Sequence, residues 1–142
     1  LNTYTIDDVD LLILECLLEN ASRTHKEIGQ IVHLTGQAVG ARVRKLEELG
    51  VIEGYTLKWN PEKIGKSLHG LITVYMKSTV SHQTFQDFVQ RDSRVQEVHR
   101  ITGEGCYWLR IFVDDNMRLN EFLDDLLNYG NYRLSLSIGR IK

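Results

Sequence analysis

The chain of 142 residues is 42% hydrophobic, enough for one compact domain or two small ones with a packed core, which excludes an intrinsically disordered protein. Seventeen Lys and Arg stand against nineteen Asp and Glu, and the net charge of −2 excludes a protein that coats nucleic acid or membrane by charge alone. Two cysteines, Cys16 and Cys106, lie far apart, the N-terminus lacks the basic, apolar and small-residue order of a secretory signal, and no apolar run reaches the roughly 18 residues of a membrane span. The expectation is a cytoplasmic protein with no membrane partner.

Local charge is uneven. Residues 1 to 21 hold five acids and no base, residues 22 to 45 five bases and one acid, and residues 46 to 60 one base and three acids. A basic block between acidic stretches suits a docking surface for nucleic acid, and equally suits a solvated helix face.

In chain order, Ile6, Val9, Ile13, Cys16 and Leu17 form a helical stripe with Asp7, Asp8 and Asp10 at its N-terminal end, where the helix dipole favours acids. Leu11, Leu14 and Leu18 make a second side of this helix apolar, so it is buried on two sides or shared with a second subunit. Thr24-His25-Lys26-Glu27 has the spacing of a capping box and opens a second helix burying Ile28, Ile31 and Val32. Thr35 caps a third, which buries Val39, Val43, Leu46 and Leu49 and ends at Gly50. Two β-prone pieces around Gly54, within Val51 to Lys58, suit a small β-wing. Three helices and a wing make a DNA-binding topology, or a generic three-helix bundle with the same spacing. The basic residues Arg42, Arg44 and Lys45 on the third helix favour the former.

The only proline, Pro61, precedes Ile64-Gly65 and marks a boundary. The expected division is 1–59, a linker over 60–66, and 67–142. Beyond it the pattern reads strand (Leu68 to Lys77), helix (Phe85, Phe88, Val89), strand (Arg94 to Thr102), turn (Gly103-Glu104-Gly105), strand (Cys106 to Val113), helix (Met117, Phe122, Leu123, Leu126, Leu127) and strand (Leu134, Leu136, Ile138). This βαββαβ order predicts an α+β chain: a winged helix-turn-helix followed by a ferredoxin-like antiparallel sheet with both helices on one face. The other face, apolar at Cys106, Trp108 and Phe112, then needs a partner, and a second copy of the same sheet is the simplest.

Taken in register, Thr24-His25-Lys26-Glu27-Ile28-Gly29, Leu34-Thr35, Val39, Arg42 to Glu47, Gly50 to Tyr55, and Pro61 with Ile64-Gly65 resemble the winged helix-turn-helix of the leucine-responsive and AsnC (Lrp/AsnC) transcription regulators. Val98 to Leu109, with Thr102-Gly103 and Tyr107, resembles the hairpin of that family's effector-binding (RAM-type) domain. The resemblance implies a sequence-specific regulator of double-stranded DNA, a homodimer formed through the βαββαβ domains and often an octamer. It also implies an amino acid or related small molecule as effector, with no other cofactor and no metal.

Helix-turn-helix geometry puts Gly36, Gln37, Gly40 and Ala41, at the start of the third helix, nearest the bases, and Gln37 alone among them can pair bidentately with adenine. Gly40 inside a helix serves either backbone approach to DNA or packing between helices. Arg44 and Lys45 are expected on phosphates, with Arg23, Thr24, His25, Lys26 and Thr35 at the helix starts as further contacts. Arg42 matches the family's arginine, and equally suits a pairing with Glu47 or an acid of the first helix.

The effector expectation rests on Thr102, Gly103, Glu104, Gly105, Cys106 and Tyr107, with Ser135 and Ser137 on the last strand. Many relatives carry an aspartate where this chain has Cys106, and a thiol offers an ammonium group no fixed charge, so either Glu104 substitutes or the site is empty. A ligand-independent architectural DNA-binding and wrapping protein of the same fold is the alternative. An enzyme built on Cys106 and His99 is not expected, because their strand positions separate them. The five histidines lack the spacing of a metal site.

Overall fold

The computed structural model describes residues 3–142, which form two compact units that divide between Lys58 and Trp59.

In the first unit, α1 (Asp8–Glu19), α2 (His25–Val32) and α3 (Gly36–Glu48) close over Ile13, Cys16, Ile28, Val39 and Val43. The Thr24–Glu27 capping box forms as the sequence predicts, and Thr35 caps α3 by accepting from the Ala38 amide. A second capping box, Asp7 with Asp10, starts α1 and leaves Ile6 outside the helix. The turn between α2 and α3 depends on Gly29: a Cβ there would stand 2.3 Å from the Leu34 carbonyl oxygen, closer than any side chain can approach. His33 takes the left-handed conformation at the end of α2 (φ 57°), redirecting the chain into α3.

The expected β-wing is not formed. The Val51 and Ile52 amides both donate to the Leu46 carbonyl at 2.9 and 3.1 Å and finish α3, which withdraws both residues from strand pairing. Residues 53–58 run on without strand pairing, and Tyr55 is tied to α3 by its hydroxyl on Glu47 Oε1 at 2.8 Å, a bond that raises the phenol's pKa.

In the second unit, a 3-10 turn (Pro61–Ile64) capped by Asn60 leads to β1 (Leu68–Met76), α4 (His82–Arg91), β2 (Val95–Arg100), β3 (Tyr107–Val113), α5 (Asn116–Leu126) and β4 (Gly130–Leu136). All pairings are antiparallel in the order β2-β3-β1-β4, the predicted ferredoxin-like arrangement. Ile72, Val74, Tyr107, Leu109 and Ile111 face Phe85, Val89, Phe122 and Leu126 of the helices in one apolar core. β4 begins four residues before the predicted Leu134 and excludes Ile138, which is fully exposed. Its first residue must be glycine, since a Cβ on Gly130 would fall 2.2 Å from the Tyr75 carbonyl oxygen.

The other sheet face is more polar than expected. Trp108 and Phe112 lie there half-buried, but between them Arg110 pairs with Glu97 at 3.1 Å and lies over the Trp108 ring, while His99 Nε2 donates to Glu97 Oε1 at 2.6 Å. His69 packs against Phe112 with centroids 4.5 Å apart and the rings tilted by 40°; burial, then the charges of Arg110 and Arg140, pull its pKa below the ordinary histidine value. Two buried polar atoms, His69 Nε2 and Arg110 Nε, have no partner among the described residues.

Candidate functional site

The outward face of α3 carries Gln37, Ala41 and Arg44 at helical spacing, all exposed, opposite the buried Val39, Val43 and Leu46. Among the described residues, the side chains of Gln37 and Arg44 make no hydrogen bond or ion pair, so their amide and guanidinium are free for an external partner. Lys26, at the exposed N-terminal turn of α2, is likewise unpaired there. The small side chain of the exposed Ala41 thins this face, whereas Gly36 and Gly40 turn toward the start of α2.

Other predicted contacts are committed within the chain. Arg42 is the clearest: its Nη1 donates to Asp7 Oδ1 and Oδ2 at 2.7 and 2.8 Å and to Asp10 Oδ1 at 2.9 Å. Asp10 is fully buried and also accepts from the Tyr4 hydroxyl at 2.7 Å and the Asp7 amide at 3.0 Å. The Arg42 bonds hold the Asp7 carboxyl below its ordinary pKa, and the carboxylates of Asp7 and Asp10 raise that of the guanidinium. Of the two roles open for Arg42, the pairing with α1 is the one present, and it clamps α3 to the start of α1. Arg23 turns away to the end of α1, donating to the Cys16 carbonyl at 3.0 Å and to Glu19 at 2.9 Å. Thr24 and Thr35 spend their hydroxyls as helix caps, and Lys45 reaches Glu48 at 3.1 Å while lying over the Tyr4 ring.

Gly40 packs against α2. A Cβ built on it would lie 2.9 Å from His25 Nδ1, so the ring occupies the space the missing side chain leaves.

The hairpin between β2 and β3 brings Thr102, Gly103, Glu104, Gly105 and Cys106 together. Gly103 and Gly105 adopt φ of 88° and 89°, a region that favours glycine, and Gly105 is further required because a Cβ would strike Thr73 Cγ2 at 2.5 Å. Cys106 is half-buried and its amide donates to the Val74 carbonyl at 2.7 Å. Glu104 is exposed and meets Arg133 of β4 at 3.5 Å. Tyr107 points the opposite way, into the core, where its hydroxyl bonds His82 Nδ1 at 2.8 Å and Gln86 Nε2 at 2.9 Å. Ser135 lies two residues along β4 from Arg133; Ser137 lies four along, about 13 Å at strand rise, with its amide on the His69 carbonyl. The hairpin and Arg133 are joined through Glu104; Ser135 lies along the sheet, level with Leu71 and Arg110, and Tyr107 and Ser137 also stand outside this neighbourhood within a single chain. His99 pairs with Trp108, not Cys106, so the cysteine–histidine couple that catalysis would need does not assemble.

The signals that sequence reasoning missed were the Asp7–Asp10 capping box, visible in the spacing of those acids, and the tie of Tyr107 to α4, which no local pattern announces. No helix among the described residues is long and apolar enough to cross a membrane.

Residues 6–47 match the AsnC-type helix-turn-helix domain and residues 70–142 the Lrp/AsnC ligand binding domain. The chain is 39% identical to the HTH-type transcriptional regulator LrpB of Bacillus subtilis over 96% of its own length and 91% of the relative's. Among solved structures, LrpC of B. subtilis superposes with a TM-score of 0.89 at 25% identity, covering 98% of this chain and 99% of that one. A Neisseria meningitidis transcriptional regulator, solved as its L-Met complex, superposes with a TM-score of 0.86 at 28% identity, covering 97% and 93%. With both domain models in order along the chain and a relative of this identity over nearly its full length, the chain belongs to the Lrp/AsnC family of DNA-binding transcriptional regulators and is not an enzyme.

Proposed function

We propose that residues 1–59 read double-stranded DNA through α3, that 60–66 link them to 67–142, and that 67–142 dimerise the protein and bind an amino acid. The observation that carries the reading is the unpartnered face of α3: Gln37 presents a bidentate amide toward base edges, flanked by the small Ala41. Arg44 and Lys26 hold phosphates, Lys26 from the N-terminal turn of α2, where the dipole also favours an anion. Arg42 and Arg23 support these contacts from within the protein.

Dimerisation through the open sheet face is supported by Trp108, Phe112 and the two unpartnered atoms of His69 and Arg110, since buried polar atoms are ordinarily paired. An octamer built from such dimers follows the family pattern. Amino-acid binding is supported by the methionine complex of the Neisseria relative and by the glycine-built hairpin, where Glu104 supplies the charge that Cys106 lacks. The protein acts in the cytoplasm, where its DNA is.

Binding-site selection from random duplexes with the purified full chain, with and without L-amino acids, tests the proposal. Enrichment of a dyad-symmetric site is expected, with its affinity or assembly changed by at least one amino acid. Absence of any enriched dyad overturns the DNA reading; an enriched dyad indifferent to every amino acid leaves the architectural alternative as the function.

A further inference from the structure

The start of α2 lies along two glycines of α3. At Gly36 the fit is backbone to backbone: a Cβ would stand 3.2 Å from the Lys26 amide nitrogen and 3.3 Å from its Cα. One turn later, at Gly40, the backbones have separated and the His25 imidazole fills the gap, with Nδ1, Cε1 and Cγ at 2.9, 3.4 and 3.9 Å from a built Cβ. The base of this ring is fixed. Thr24 and Glu27 close their capping box around His25, at 3.1 and 2.9 Å, so the first turn of α2 cannot drift. The ring makes no hydrogen bond among the described residues and is held by packing alone.

We infer that His25 is a positioning residue of the DNA interface: its ring is the spacer that sets the separation of α2 and α3 at Gly40, and this seat is the reason for a glycine inside the reading helix. The inference rests on the DNA-binding reading and reassigns His25 from phosphate contact to spacer. Its consequence is geometric. Lys26 on α2 and Gln37 with Arg44 on α3 must reach one duplex together, and the thickness of the ring fixes how far apart those two sets stand. A misplacement of this kind weakens every contact slightly and removes none.

Four full-length proteins test it on the selected dyad duplex and a scrambled one: the unchanged chain, His25→Ala, Gly40→Ala and the double variant. Gly40→Ala is expected to fold, because the exposed ring can swing aside and alanine favours the helix. It should weaken binding about tenfold, a coupling of the size contacting residues show, and His25→Ala should do the same. Introduced on top of His25→Ala, Gly40→Ala should cost less than about twofold more, because the ring it displaces is already gone. Because no phosphate contact is lost, the log-log salt slope of His25→Ala should match that of the unchanged chain. Equal losses from Gly40→Ala with and without the His25 ring would mean that Gly40 meets DNA directly, and would overturn the inference. A slope reduced by about 1 per subunit for His25→Ala, unchanged affinity for both single variants, or a Gly40→Ala protein that does not fold would each overturn it too. If the unchanged chain selects no dyad, the DNA reading itself has failed, a result separate from any of these.

Discussion

Replacing Arg42 with alanine removes the cation that pairs with a fully buried carboxylate. Breaking a buried ion pair by deleting one partner costs about 3–5 kcal/mol, because the other charge stays desolvated. Here the Arg42 side chain is 28% exposed and Asp7 50%, so water recovers Asp7, while Asp10 at 0% keeps only the Tyr4 hydroxyl and the Asp7 amide. The expected loss is therefore toward or below the lower bound, about 2–3 kcal/mol. The assay is urea unfolding followed by two signals. Both tryptophans, Trp59 and Trp108, lie in residues 59–142, so fluorescence reports the second unit, whereas ellipticity at the helix band includes α1 to α3. Arg42→Ala should lower the midpoint of the ellipticity transition and leave the fluorescence transition in place. Adding Asp10→Asn should recover part of the loss, since no unpaired charge remains buried. An unchanged midpoint together with a salt slope of DNA binding reduced by about 1 per subunit would refute the reasoning and make the guanidinium a phosphate contact.

Gly29→Ala should destabilise the first unit by about 2–3 kcal/mol in the same urea assay, the scale of overpacking, because its Cβ meets a backbone carbonyl that cannot swing away. Asp7→Asn keeps the helix cap and removes the charge that Arg42 bonds. Since the folded Asp7 pKa lies below its ordinary value of 3.8, its contribution is present above that value and lost as pH falls through the folded one. The ellipticity midpoint of the unchanged chain should thus fall more steeply than that of Asp7→Asn as pH is lowered past about 4. Arg44→Ala should weaken binding to selected and scrambled duplexes alike, with the salt slope smaller by about 1 per subunit.

Elements whose determinants are local were legible in the residues. Thr24 with Glu27 and Thr35 with Ala38 satisfy amides three residues away, and the apolar run from Tyr107 to Val113 announces a strand whose Tyr107, Leu109, Ile111 and Val113 are buried. What needed distant partners was less so. Arg42 and Asp7 are 35 positions apart, and charge alone cannot distinguish an arginine that meets phosphate from one that meets a carboxylate. The wing failed for a related reason: β-propensity in Val51 to Tyr55 was offset by the demand of the α3 terminus for the Val51 and Ile52 amides. Gly40 illustrates the same limit, since its neighbour across the gap, His25, is set by the angle between two helices. The candidate site was therefore legible as a block of residues, while its division into reading, clamping and capping members required the fold.

The central claim is that α3 reads bases through Gln37. Affinities of the unchanged chain and Gln37→Ala, measured on the selected dyad and on duplexes substituted one base pair at a time, test it most directly. The account predicts that Gln37→Ala loses discrimination of about 1–3 kcal/mol at one symmetry-related pair of adenine positions and keeps its salt slope. An equal loss on every duplex, or an unchanged base preference, would contradict it.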